Sequence, residues 1–202
     1  MPPAAVKGYA CGMLYLASQS PRRRELLTQL GMTFGLLDVD VPEQREPGEP
    51  PAAYVSRVAR EKAGAGLLQV VASKGAVVLG ADTEVVLDDV VYGKPADAAD
   101  AARMLRRLSG RVHECLSTVW VLSAGREQHA ACVTQVHFEK LTDARIDAYV
   151  ATGECFGKAG AYAIQGRAGL WVSHISGSYS GIMGLPAHET AQVLHAAGVR
   201  LV

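Results

Sequence analysis

Ser18-Gln19-Ser20-Pro21-Arg22-Arg23 places two hydroxyls and two guanidiniums on one short stretch. Serine is a good helix cap, and proline is tolerated at the first helical position. The stretch therefore predicts a turn from a strand into a helix, with unpaired N–H groups and partial positive charge at the helix start. Arginine suits phosphate because its planar fork donates two hydrogen bonds at once. The predicted chemistry is anion binding. Taken alone, the stretch is equally a capped helix carrying solvated arginines.

Gly80-Ala81-Asp82-Thr83 follows the apolar run Val77-Val78-Leu79. An aspartate leaving a buried strand is costly unless it is paired or exposed at the strand end, and strand ends are where α/β sheets bind ligands. Asp82 is a candidate to hold a divalent cation and to orient or deprotonate a water; a turn aspartate is the alternative. Gly93-Lys94-Pro95 fixes a lysine between a flexible and a rigid residue. Lys62 lies on a helix, where a solvated lysine is the default. Lys158–Gly166 (KAGAYAIQG) is rich in small residues that admit a flat ligand. It matches neither the dinucleotide fingerprint nor a P-loop. Gln165 offers both a donor and an acceptor to a base edge; a turn entering a strand is the alternative. Gly177–Gly181 (GSYSG) has Tyr179 where a nucleophile elbow needs serine. His188 and His195 share a helix face without metal-ligand spacing.

These groups need elements to position them. The run 13–18 predicts a buried strand and 21–30 a helix ending at Gly31. A second strand is expected at 33–41, followed by an exposed loop at 42–51, rich in proline and charge. Residues 52–71 have helical periodicity with Tyr54, Val55, Val58 and Ala59 inward, weakened in the second half by two glycines. Two strands around an Asp88-Asp89 turn are expected within 75–93, and a helix capped by Asp97 at 97–110. Alternation on both sides of Gly125 predicts a long hairpin over 111–139. Further helices are expected at 141–153, capped by Thr142, and at 186–198, with a strand at 170–175 and a loop at 177–184 between them. Strands alternating with helices, plus the antiparallel insertion, indicate an α/β protein with a mixed, twisted sheet flanked by helices. Residues 1–12 read as a loosely ordered tail and 13–202 as a single domain.

Twenty basic residues balance twenty acidic ones, and 49% of residues are hydrophobic. A sizeable core is expected. The even balance argues against a broad nucleic-acid or membrane surface. Cys11, Cys115, Cys132 and Cys155 form no C-x-x-C pair and read as free thiols of a reducing compartment. Without a signal-peptide pattern or a membrane-length apolar run, a soluble cytoplasmic protein is expected.

Taken in order, LASQSPRRRELL, AREKA, LGADT, GKP, KAGAYAIQG and GLPAHET resemble the Maf family of nucleotide pyrophosphatases, from about residue 13 to the last helix. The segment around Gln165-Gly166 looks like the subgroup that hydrolyses dTTP and UTP. The resemblance implies a Maf/ITPase-like fold, elongated and two-lobed with a central cleft, and often a homodimer. It implies cleavage of a nucleoside triphosphate to the monophosphate and pyrophosphate with a divalent cation, Mg²⁺ or Mn²⁺. Asp82 matches the catalytic acidic residue and Glu43 a glutamate near the metal. Ser18, Arg22, Arg23, Lys62 and Lys94 match phosphate or substrate contacts. Arg22, Thr83 and Gln165 match positions tied to substrate choice. The family usually has aspartate immediately before K-A-G-A-Y, where this chain has Gly157. Two rival readings are a pyrophosphatase for modified or purine nucleotides and a nucleotide-binding regulator of cell division that needs no catalysis.

Overall fold

The computed structural model describes residues 13–201. The expected tail at 1–12, with Cys11, lies outside the described residues. Strand β1 (Leu14–Ala17) leads into helix α1 (Pro21–Gln29), as the Ser20-Pro21 signal predicts; the Ser20 side chain accepts from the Arg23 N–H. Strand β2 spans only Gly35–Leu37, because Asp38, Asp40 and Pro42 end the apolar run expected to reach 41. Helix α2 (Pro51–Gln69) is continuous through both of its late glycines. Strands β3 (Val77–Leu87) and β4 (Val90–Tyr92) turn at Asp88 and Asp89, both with positive φ. Next come α3 (Ala98–Leu108), the hairpin β5 (Val112–Ser123) and β6 (Arg126–Phe138), and α4 (Asp143–Val150). Two 3-10 turns precede β7 (Val172–Ser176). The expected loop at 177–184 contains the short helix α5 (Tyr179–Ile182), and α6 (Ala187–Ala196) follows. Among the described residues no helix is long and apolar enough to cross a membrane.

One mixed sheet has the order β2-β1-β3-β5-β6-β7, with β4 also paired to β3. β1 runs parallel to β2 and β3, and the other pairings are antiparallel. β5 covers one edge of β3 from Val77 to Val86. On the other edge β1 stops at Gly80, and β4 begins only at Val85. Residues 81–84 therefore face a gap in the sheet, and Asp82 stands in the middle of β3 rather than at its end.

The core divides at the same place. On one face of β3, Leu79 and Ala81 belong to a cluster with Leu26 and Leu27 of α1 and Val193 and Leu194 of α6. Val85 and Leu87 belong to another, with Leu105 of α3 and Ile146 of α4. Thr83 lies between them, so the chain forms two lobes around a cleft. On the opposite face α2 packs closely. A Cβ on Gly80 would stand 2.5 Å from both the Ala59 carbonyl oxygen and the Ala63 nitrogen. At Gly66 a Cβ would come within 2.8 Å of Ala17 Cβ. The small residues that lower helix propensity are what let α2 seat on the sheet.

Gly80→Ala should cost about 1–3 kcal/mol by overpacking, read as a lower urea midpoint; an unchanged midpoint contradicts this seating. A second expectation concerns His113, which is buried, bonded to the Tyr162 hydroxyl at 2.9 Å and packed edge-on to Phe138. Burial, and then the charge of His137, hold its imidazole down to about 4. The unfolded chain binds this proton from about pH 6.5 downward, so stability is lost as the pH falls toward 4, by up to about 3 kcal/mol. The stability advantage of wild type over His113→Gln should narrow across that range, and a constant difference would contradict it.

Candidate active site

Every side chain expected at the site lines one cavity of about 810 Å³, a size typical of small-molecule sites. Ser18, Arg22 and Arg23 come from the end of β1 and the start of α1, and Glu43 from the loop before α2. Lys62 comes from α2, Asp82 and Thr83 from β3, Lys94 from the segment after β4, and Gln165 from the loop before β7.

Lys62 is buried, not solvated. The inward stripe Tyr54, Val55, Val58, Ala59 continues at helical spacing to Lys62 and Ala63. The close seating at Gly80 brings that stripe down over Asp82, which is on the same strand face two residues on. Lys62 Nζ donates to Asp82 Oδ1 at 2.7 Å and to Glu43 Oε1 at 2.5 Å. Lys94 Nζ donates to Glu43 Oε2, also at 2.5 Å. Burial alone would raise the Glu43 carboxyl, but its hydrogen bonds from Lys62 and Lys94 outweigh that and bring it down to about 2. Asp82 Oδ2 is buried without a partner among the described residues.

The two arginines have different surroundings. Arg23 is buried, and its Nε donates to the Gly184 carbonyl at 2.8 Å. Its other nitrogens reach Ser18 Oγ at 3.3 Å and Thr83 Oγ1 at 3.5 Å. Thr83 Oγ1 also lies 2.8 Å from Ser117 Oγ. Arg23 therefore ties α1 to β3 and to the turn before α6. Arg22 lines the cavity, and among the described residues no side chain or carbonyl takes its guanidinium protons. Burial and then Arg23 lower its pKa.

Two further groups belong to this cavity, and the sequence reading passed over both as site residues. Among the described residues Lys158 donates only to the Phe156 carbonyl, at 3.2 Å, and burial followed by the nearby Arg22 lowers its pKa. The preceding Gly157 has φ +67° with open space around it, a conformation glycine adopts without strain. Glu84 is buried on the Asp82 face. Burial, then Asp82 and Glu43, push its carboxyl up to about 8. The signal available in the sequence was an acidic residue two positions after Asp82 in an otherwise apolar strand.

The arrangement combines several cations, of which Arg22 has no acceptor among the described residues, with the carboxylates of Glu43, Asp82 and Glu84 in one cleft. That suits a polyanion whose cleavage needs a base. The family model described as Maf-like protein matches residues 13–197. The chain belongs to the Maf family. It is 56% identical over 188 residues to a protein of Xanthomonas euvesicatoria pv. vesicatoria (strain 85-10) named dTTP/UTP pyrophosphatase, a match covering 92% of this chain and 99% of that one. A Chromobacterium violaceum protein of the same name is 51% identical over 191 residues, covering 93% and 96%. One from Ralstonia nicotianae is 53% identical over 197 residues, covering 93% and 95%.

The unlike surroundings of the arginines give opposite expectations for this Maf protein. Arg23→Ala should lose about 2–4 kcal/mol, since it leaves buried acceptors without a donor. Arg22→Ala should stay within about 0.5 kcal/mol of wild type or gain stability. Equal losses in thermal unfolding would contradict this division.

Proposed function

We propose that this Maf protein hydrolyses dTTP and UTP to the monophosphate and pyrophosphate. The observation that carries the reading is the convergence of Arg22, Lys62 and Lys94 with Asp82 and Glu43 on one cleft. A nucleoside triphosphate carries roughly four negative charges near neutral pH. Arg22, Lys94 and Lys158 bind its phosphate oxygens, and Lys62 shifts from Glu43 toward them. Ser18 and Thr83, oriented by Arg23, border the same anion. Gln165, exposed at the cavity wall, reads the base edge with its amide donor and acceptor. The names of the relatives support the choice of dTTP and UTP.

The donors fit a divalent cation such as Mg²⁺ or Mn²⁺. They are hard carboxylate oxygens, and Asp82 Oδ2 is buried with no partner among the described residues. Among the described residues no three Asp, Glu, His or Cys side chains form a ready-made ligand group. Asp82 and Glu43 would thus supply part of the coordination, in keeping with a metal shared with substrate phosphates. When bound, the cation supplies charge neutralisation at the phosphates and a more acidic water. Asp82 also takes the proton of the water that attacks the α-phosphorus in line with the departing pyrophosphate, which the cationic wall stabilises. The balance of twenty basic and twenty acidic residues fits a small-molecule substrate better than a nucleic acid or a membrane surface. The cytoplasm, where that substrate occurs, is the expected location, and a homodimer remains the assembly the family suggests.

The test is pyrophosphate release from a panel of triphosphates with Mg²⁺ or Mn²⁺. dTTP and UTP should lead, Asp82→Asn should fold but release none, and Arg22→Ala should lose on the order of 10²–10³ in rate. Triphosphate binding without turnover by wild type would favour the regulator, and a lead for purine or modified nucleotides would replace the substrate choice. Replacing Gln165 should narrow the gap between dTTP or UTP and the others, and an unchanged ranking contradicts its role.

A further inference from the structure

We infer that Glu84 joins Asp82 as a ligand for a divalent cation, forming an inner carboxylate pair beyond the Asp82 and Glu43 pair of the proposed reaction, on which this inference rests. Asp82 and Glu84 are two apart on β3, so both project from the same face, about 7 Å apart along the strand. Both lie in the stretch where β3 has no neighbour on one edge. The longer glutamate stem can close that separation toward a shared ion.

The hydrogen bonding around them points to a missing partner. Asp82 is 4% exposed and Glu84 7%, and Asp82 Oδ2 and Glu84 Oε2 are buried without a hydrogen bond among the described residues. Orphaned buried carboxylate oxygens are costly unless something binds them. The neighbouring ammonium groups do not serve Glu84. Lys62 bonds Glu43 Oε1 and Asp82 Oδ1, and Lys94 bonds Glu43 Oε2.

Space is available beside it. Glu84 lies in the wall between the main cavity and a second one of about 520 Å³, which Glu43, Gly93 and Lys94 also line. Gly93 borders the carboxyl head: a Cβ added there would stand 3.8 and 4.0 Å from the two Glu84 oxygens, at ordinary contact distance. Oxygen donors with room for water match Mg²⁺ or Mn²⁺, which retain several waters and take one or two carboxylates. Nothing else in the proposed reaction uses Glu84.

The experiment measures Mn²⁺ alone, without nucleotide, binding to the full chain and to Glu84→Gln, by the electron paramagnetic resonance of free Mn²⁺ and by thermal unfolding. Wild type should bind Mn²⁺ and unfold at a higher temperature with it. Glu84→Gln should bind at least about 10-fold more weakly, in the range that loss of metal-site groups produces. Without Mn²⁺ the variant should unfold at or above the wild-type temperature, because an isosteric amide replaces an unpartnered carboxyl. Equal Mn²⁺ affinity and equal thermal shifts in the two proteins would overturn the inference, as would no Mn²⁺ binding by wild type. The reading of function fails separately, if a protein that binds Mn²⁺ releases no pyrophosphate from any triphosphate.

Discussion

The Lys62 ammonium, held between Asp82 and Glu43, is the interaction on which the site depends. Two carboxylates bond it and Glu84 lies two residues along β3 from one of them, and at close range like charges in a poorly solvated place repel strongly. A buried lysine offsets that repulsion and keeps the group together before substrate arrives. It can do so only because α2 lies almost in contact with β3, and that approach requires Gly80 at the crossing and Gly66 further along. Two residues without side chains thus determine where a charged one stands. The pair itself is weak evidence for stability, since desolvation can cancel its attraction. Its consequence is placement: a positive charge stands between Asp82 and Glu43 in the wall of the cleft.

The sheet supplies the opening. β3 is paired from Val77 to Val86 on the β5 side but only at its ends on the other. The interruption coincides with the division of the core into two clusters, so one feature creates both the lobes and the cleft. Thr83 faces the α1 side, where it meets Arg23 and Ser117. Asp82 and Glu84 face α2. Strand alternation therefore separates the groups that brace the structure on one side of β3 from the carboxylates on the other. Arg23 and Arg22 show the same separation at neighbouring positions of one helix, the first bonded into the fold and the second open to the cleft.

Much of this was legible in the residues. Ser20-Pro21 predicted the start of α1, and the alternation about Gly125 predicted the hairpin, because caps and strand periods are local signals. Convergence is not local. From the residues alone Lys62 reads as a solvated lysine, and only the family resemblance makes it a phosphate or substrate contact, although the period running from Tyr54 through Ala59 already points position 62 inward. Asp82 read as the end of a strand, because the apolar run stops before it and nothing in the sequence marks β1 and β4 as leaving a gap beside it. The late glycines of α2 read as weaknesses, since propensity counts a missing side chain as lost stability and takes no account of the helix-to-sheet distance it permits. Glu84 and Lys158 escape a local reading because their significance lies in the distant groups that line the same cavity.

The most direct test of the role of Lys62 is the thermal and urea unfolding of Lys62→Met with and without millimolar Mn²⁺. Removing the ammonium leaves buried carboxylates uncompensated, so the metal-free variant should be less stable than wild type by about 3–5 kcal/mol, with Mn²⁺ restoring much of the loss. A metal-free Lys62→Met protein as stable as wild type, with no response to Mn²⁺, would contradict the account.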